Sequence, residues 1–254
     1  MKIVRIDTSV DDIAYGVVEP EGIRLHRGTP FVAWEPTETV VSWDQARLLA
    51  PVIPTKIIAA ARNYADHAEE LNNVVPKEPL VFLKPPTSVI GPLQSIRIPA
   101  GIGEVQHEAE LAVVMGKVTR NIAIEDVGPH IFGYTAANDV TARDIQSTEG
   151  KFTRAKGFDT FCPLGPAIDT ELDPQEGLSV ICRVNEEIRQ AGSTSDLIFG
   201  IGELISFVSS IMTLLPGDVL LTGTPGGVGP IAPGDRVEVE VEGIGVLVNR
   251  VAEQ

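Results

Sequence analysis

The sequence predicts an α+β protein that is mostly β-sheet, and three observations carry that prediction. Gly and Pro, 24 and 19 of the 254 residues, punctuate the chain and leave short segments rich in Val and Ile between them. Only TSDLIFGIGELISFVSSIM keeps apolar residues at helical spacing over a long stretch. Strands and helices do not alternate as a doubly wound parallel fold requires.

Taken in order, residues 2–7, 14–19 and 22–26 read as a meander around the turn Glu19-Pro20-Glu21-Gly22, and 38–50 as a loop with a short helix. Pro51 and Pro54 bracket a linker, so residues 1–52 are expected to form a small N-terminal β domain and 53–254 the main one. In the main part, β-branched runs predict strands at 56–60, 80–83, 95–98, 105–116, 131–138, 166–168, 178–185, 218–222, 236–241 and 244–251. Helices are expected at 63–72, 123–126, 141–148 and 196–213, the last opening on a Thr or Ser cap.

Charge narrows the function classes. Twenty Lys and Arg against 35 Asp and Glu give a net charge of −15, with no basic cluster, which argues against nucleic-acid or polybasic membrane partners. No run reaches the about 18 uncharged apolar residues of a membrane helix, and the N-terminus has no signal-peptide pattern. Cys162 and Cys182 form neither a disulfide framework nor a CxxC metal site, so a reducing cytoplasm is the expected location.

Four segments carry chemistry. In VQHEAELAVVMG, Glu108 and Glu110 fall on one face of a strand that continues apolar on both sides. Two carboxylates at the mouth of a buried strand call for a counter-cation, although a strand end emerging into solvent fits the same pattern. Asp139, after IFGYTAAN, reads alone as a helix N-cap. Together with the two glutamates it completes an oxygen-only ligand set suited to Mg²⁺ or Mn²⁺ and not to zinc. His107 points to the opposite strand face and is not expected to be a ligand.

In ARNYADHAEEL, His67 and Glu70 share a helix face, so the carboxylate can orient an imidazole that moves protons; by pattern alone, a solvated surface helix with a chance ion pair is the default reading. LLTGTPGGVGP is a strand running into a glycine-rich turn. It matches neither a P-loop nor a dinucleotide fingerprint; a tight hairpin is its default reading, and backbone N–H groups approaching a carboxylate the functional one.

The segments NYADH, FLKPPTSV, HEAELAVVMGK, GYTAANDVTARDIQ, AKGFDTFCPLGP, VNEEIRQAGSTSDLIF and GDVLLTGTPGGVGP stand in the order seen in the fumarylacetoacetate hydrolase family, which the chain resembles over roughly 55–250. The resemblance implies a mixed β-roll, usually a homodimer, with Mg²⁺ or Mn²⁺ on Glu108, Glu110 and Asp139 and a lid bearing His67 and Glu70. It places Lys156 beside the reacting atoms, and Arg143, Gln146 and Thr224 among the substrate contacts. The implied chemistry is cleavage of a C–C bond in a 2-oxo or β-dicarbonyl acid through a metal-stabilised enolate, as in acylpyruvate hydrolysis or oxaloacetate decarboxylation. Isomerisation of a 2-hydroxymuconate-like diacid is the alternative, and a metal-stabilised binding or scaffold protein the non-enzymatic one.

Overall fold

The computed structural model describes residues 1–8, 13–70 and 74–254, with backbone alone at 67 and 68. Strands prevail over helices, as expected, in a mixed β-roll. The largest sheet begins at an edge with Ala33–Val41, Gly22–Thr29, Ile13–Glu19 and Lys2–Asp7. It continues through Cys162–Asp169, Ile131–Asn138, Ala109–Met115, Val219–Leu221 and Ile57–Ala61 to the far edge, Leu80–Lys84. The N-terminal meander is thus hydrogen-bonded into the main sheet, with Ile3 opposite Ile168. A second sheet runs Glu187–Ser193, Ser179–Val184, Arg236–Val241, Gly245–Glu253 and Ser95–Ile98. A small third one joins Thr141–Ala142, Val105–His107 and Gly229–Pro230.

Strand Ala109–Met115 is buried along its whole length, which explains why its sequence is apolar on both faces. Its odd-numbered row meets the second sheet first: Ala109 and Leu111 pack with Val180, Cys182, Val239 and Leu247. Further along, Val113 and Met115 pack with Leu204, Ile205 and Val208 of the long helix. The even-numbered row, Ala112 and Val114, enters a separate core with Ile57, Leu164 and Val219. Both cysteines are buried and free, their thiols pushed up to about 12 by burial, so they act as small apolar residues here.

Four α-helices occur among the described residues: α1 (Ala65–Glu70), α2 (Arg143–Glu149), α3 (Phe152–Lys156) and α4 (Ile201–Ile211). None is long and apolar enough to cross a membrane. The long helix starts later than its pattern predicts, because the N–H groups of Ile198 and Phe199 are taken by the backbone and side-chain oxygens of Asn63. Glu203 instead closes the first turn by accepting from the Gly200 N–H at 2.8 Å. The helix expected at 123–126 is two 3₁₀ turns, Ile124–Asp126 and Gly128–His130, separated by a break at Val127. The segment 38–50, expected as loop and helix, supplies the end of strand Ala33–Val41, a 3₁₀ turn and strand Arg47–Leu49. Pairing with neighbouring strands overrides the weak local helical preference there.

Candidate active site

The expected acidic residues converge. Strand Val105–His107 breaks at Glu108 before Ala109–Met115 resumes, and Asp139 follows strand Ile131–Asn138 directly. The Asp139 N–H donates to the Glu108 carbonyl at 2.8 Å, and the Glu108 N–H donates to Asn138 Oδ1 at 3.0 Å, which sets the two side chains next to each other. With Glu110 they form a buried cluster whose ligand oxygens all lie within 4.8 Å of one another. Asp139 caps no helix, since α2 begins at Arg143 with Ala142 at its cap. His107 stands apart from the cluster, bound through Nδ1 to Gln190 at 2.9 Å.

Cations surround two of these carboxylates. Lys156, at the end of α3, donates to Glu108 Oε2 at 2.7 Å and Asp139 Oδ2 at 2.5 Å. Arg143 donates to Glu108 Oε1 at 2.5 Å, to Gln106 through Nε at 2.7 Å, and to Gln146. Lys84 donates to Asp139 Oδ1 at 2.5 Å from a fully buried position. Burial works against the Lys156 ammonium, yet Asp139 and Glu108 outweigh it and hold its pKa above the ordinary lysine value.

Among the described residues Glu110 forms no such ion pair. Burial, then the neighbouring Asp139 charge, push its carboxyl well above the usual range, against the pull of Lys156 and of the Gly223 N–H donated at 2.6 Å. A divalent cation among the three carboxylates would hold Glu110 ionised, and an oxygen-only donor set suits Mg²⁺ or Mn²⁺. The residues therefore fit that metal.

The cluster forms the floor of a cleft of about 310 Å³. Phe82, stacked on Phe152 with ring centroids 4.7 Å apart, forms an apolar wall, and Arg143, Gln146, Lys156 and Thr224 line the rest. Arg62 lines it as well, from a left-handed backbone at φ 56°.

The last two sequence signals meet each other. Glu70 of α1 accepts from the Gly227 N–H at 3.1 Å, and Asp66 from the Gly226 N–H at 3.0 Å, so the glycine-rich turn is where the short helix docks. His67 lies in α1 by its backbone, and its side chain is outside the described residues. At Gly223, φ is +101° and an added Cβ would lie 2.8 Å from Asn63 Cβ. Gly223→Ala is accordingly expected to shift the N–H that Glu110 accepts and to weaken Mn²⁺ binding about tenfold or more, as loss of outer-shell support typically does. Calorimetric titration with Mn²⁺ checks this.

Sequence reading passed over two residues. Lys84 ends the strand LVFLK just before Pro85, where a lone Lys after an apolar run was the available signal. Gln190 lies in strand Glu187–Ser193, which has little apolar periodicity and gave no signal of its own.

A buried carboxylate cluster bonded to cations, at a cleft lined by strands of the largest sheet and by α2 and α3, has the make-up of a site in the class of enzymes that act on small organic acids. A family model described as the C-terminal part of fumarylacetoacetate hydrolase matches residues 56–252, and one described as Rv2993c-like N-terminal matches 1–51. The chain belongs to the fumarylacetoacetate hydrolase family, whose members are enzymes. It is 44% identical over 260 residues to protein Rv2993c of Mycobacterium tuberculosis, covering 99% of this chain and 98% of that one. A mitochondrial oxaloacetate tautomerase of Rattus norvegicus is 47% identical over 220 residues, 82% of this chain and 70% of the relative. A solved structure of 5-carboxymethyl-2-hydroxymuconate delta-isomerase from Mycobacterium smegmatis shares 44% identity, with a TM-score of 0.93 over the whole of both chains.

Proposed function

We propose that this chain is a divalent-metal-dependent enzyme acting on 2-oxo or β-dicarbonyl acids by way of the enolate. The observation that carries this reading is the convergence of Glu108, Glu110 and Asp139 with Lys156 and Arg143 in one cleft. Mg²⁺ or Mn²⁺ held by the three carboxylates would supply a Lewis acid for the charge that develops on the 2-oxo oxygen. Lys156 adds a fixed ammonium to the same region, in surroundings where burial magnifies its effect. Arg143 and Gln146 present guanidinium and amide groups to a substrate carboxylate. The Phe82 and Phe152 rings exclude water from one side. His67 is the proton carrier on α1, and Glu70 holds that helix to the glycine turn.

Proton transfer between the carbon and oxygen ends of the enolate is the first reading, supported by relatives named as a tautomerase and as a delta-isomerase. It needs one proton carrier and no attacking water. Cleavage of a C–C bond, as acylpyruvate hydrolysis or oxaloacetate decarboxylation, is the second reading, favoured by the His67–Glu70 spacing suited to activating water. The test is a panel of oxaloacetate, acetylpyruvate, fumarylpyruvate and 5-carboxymethyl-2-hydroxymuconate, each with Mg²⁺ and Mn²⁺. Metal-dependent loss of the enol of oxaloacetate, blocked by oxalate as an enolate mimic, is expected. Disappearance of acylpyruvate with release of pyruvate would move the second reading ahead. No turnover of any member, with oxalate failing to bind, would leave the binding-protein alternative.

A further inference from the structure

Gln190 is 1% exposed, and the chemistry proposed above makes no use of it. Its amide occupies every hydrogen-bonding position it has. Oε1 accepts from the Ala109 N–H at 3.0 Å and from His107 Nδ1 at 2.9 Å. Nε2 donates to the Pro225 carbonyl at 2.8 Å and to Thr224 Oγ1 at 2.7 Å. The two backbone partners fix which end of the amide is which, because an N–H only donates and a carbonyl only accepts. Thr224 Oγ1 therefore accepts from Gln190, and its one proton goes to the Ala109 carbonyl at 2.8 Å. A hydroxyl has one proton and two lone pairs, so a single lone pair is what this oxygen has left for a molecule in the cleft that Thr224 lines.

We propose that Gln190 is a positioning residue that makes Thr224 a hydrogen-bond acceptor toward the ligand, so that the site selects acids carrying a hydroxyl proton, such as a 2-hydroxy acid or an enol. The inference rests on the reading of the cleft as an acid-binding metal site. A carboxylate oxygen set against Thr224 Oγ1 brings lone pair against lone pair. A ligand hydroxyl in the same place completes the bond.

Glycolate has the hydroxyl and oxalate, of similar size, has none, so calorimetric titration of both into the Mg²⁺-loaded protein reads the difference. Thr224→Val is expected to weaken glycolate about five- to tenfold, the usual effect of one hydrogen bond, and to leave oxalate within about twofold. Thr224→Ser should restore glycolate. Gln190→Met removes the N–H that points at Thr224 Oγ1, so the hydroxyl can rotate and its proton can leave the Ala109 carbonyl for a carboxylate in the cleft. This should shift the oxalate-to-glycolate affinity ratio toward oxalate by about fivefold or more, a ratio that general loosening of the fold would not move. Equal weakening of both ligands in Thr224→Val, or no change in either, overturns the proposal, as does an unmoved ratio in a folded Gln190→Met protein. If neither ligand binds the unaltered protein, the acid-site reading fails, and the inference with it.

Discussion

Replacing Glu110 with Gln is expected to abolish metal-dependent turnover while leaving the fold at least as stable as before. The amide keeps the volume of the side chain and can still accept from the Gly223 N–H, so the buried strand has no cavity to absorb. What is lost is the one carboxylate of the cluster that, among the described residues, has no cation bonded to it. A Lewis acid at a developing oxyanion contributes several kcal/mol, so turnover should fall by about 10³-fold or more. The stability effect has a definite sign. Burial, then Asp139, raise the folded-state pKa of Glu110 above its unfolded value, so the native chain without metal binds the extra proton. Stability then falls as pH rises from the ordinary carboxyl range toward the raised value. Glu110→Gln should remove that slope, and added Mg²⁺ should flatten it in the unaltered protein by favouring the ionised form. Thermal melts from pH 4 to 8 with and without Mg²⁺ read both effects.

Lys156→Met should cost both turnover and stability. Its ammonium joins Glu108 to Asp139, and both carboxylates are buried. Removing one member of such a group leaves a charge without its partner and typically costs about 3–5 kcal/mol. Lys84 and Arg143 remain, one on each carboxylate, and bring the cost toward the lower end. The raised pKa of Lys156 means that its stabilising contribution is in place throughout neutral pH; it disappears only as pH rises through that raised value. A divalent cation can restore the lost charge balance. The melting temperature of Lys156→Met should therefore depend on Mg²⁺ more steeply than that of the unaltered protein. Turnover should stay about 10²–10³-fold low even with saturating metal, the usual cost of deleting one donor to a developing oxyanion. Full activity in a folded, metal-loaded Lys156→Met protein would mean that this ammonium only balances charge.

Much of this arrangement was legible in the residues. Glu108 and Glu110 stood out because period-2 alternation placed two carboxylates at the start of a run that is apolar on both faces, and the structure buries that run along its whole length. Asp139 was ambiguous by itself, because an Asp before a helix has an ordinary capping use; the Asp139 N–H to Glu108 carbonyl bond, 31 positions apart, settles where it sits. Long-range pairing of that kind leaves no local pattern. The same reason hid Lys84 and Gln190, whose roles exist only because strands distant in sequence come together. The start of α4 was misplaced for a related reason: Asn63, more than a hundred residues away, takes the N–H groups that an earlier helical turn would have needed. In the glycine-rich turn, N–H groups approaching a carboxylate could be read beside the default hairpin, but not which carboxylates, since Asp66 and Glu70, which the turn receives, belong to another part of the chain.

Exchange at C3 of a 2-oxo acid tests the account most directly, because tautomerisation and isomerisation pass through the enolate and cleavage releases it, to be protonated at C3. Incubating 2-oxobutyrate with the protein in D₂O, and following its C3 protons by NMR, reports that step without a product assay. Exchange faster than the protein-free control with Mg²⁺ or Mn²⁺, abolished by EDTA and absent in Glu110→Gln, is the predicted result. Exchange no faster than the control with either metal, or exchange that survives both EDTA and Glu110→Gln, would contradict it.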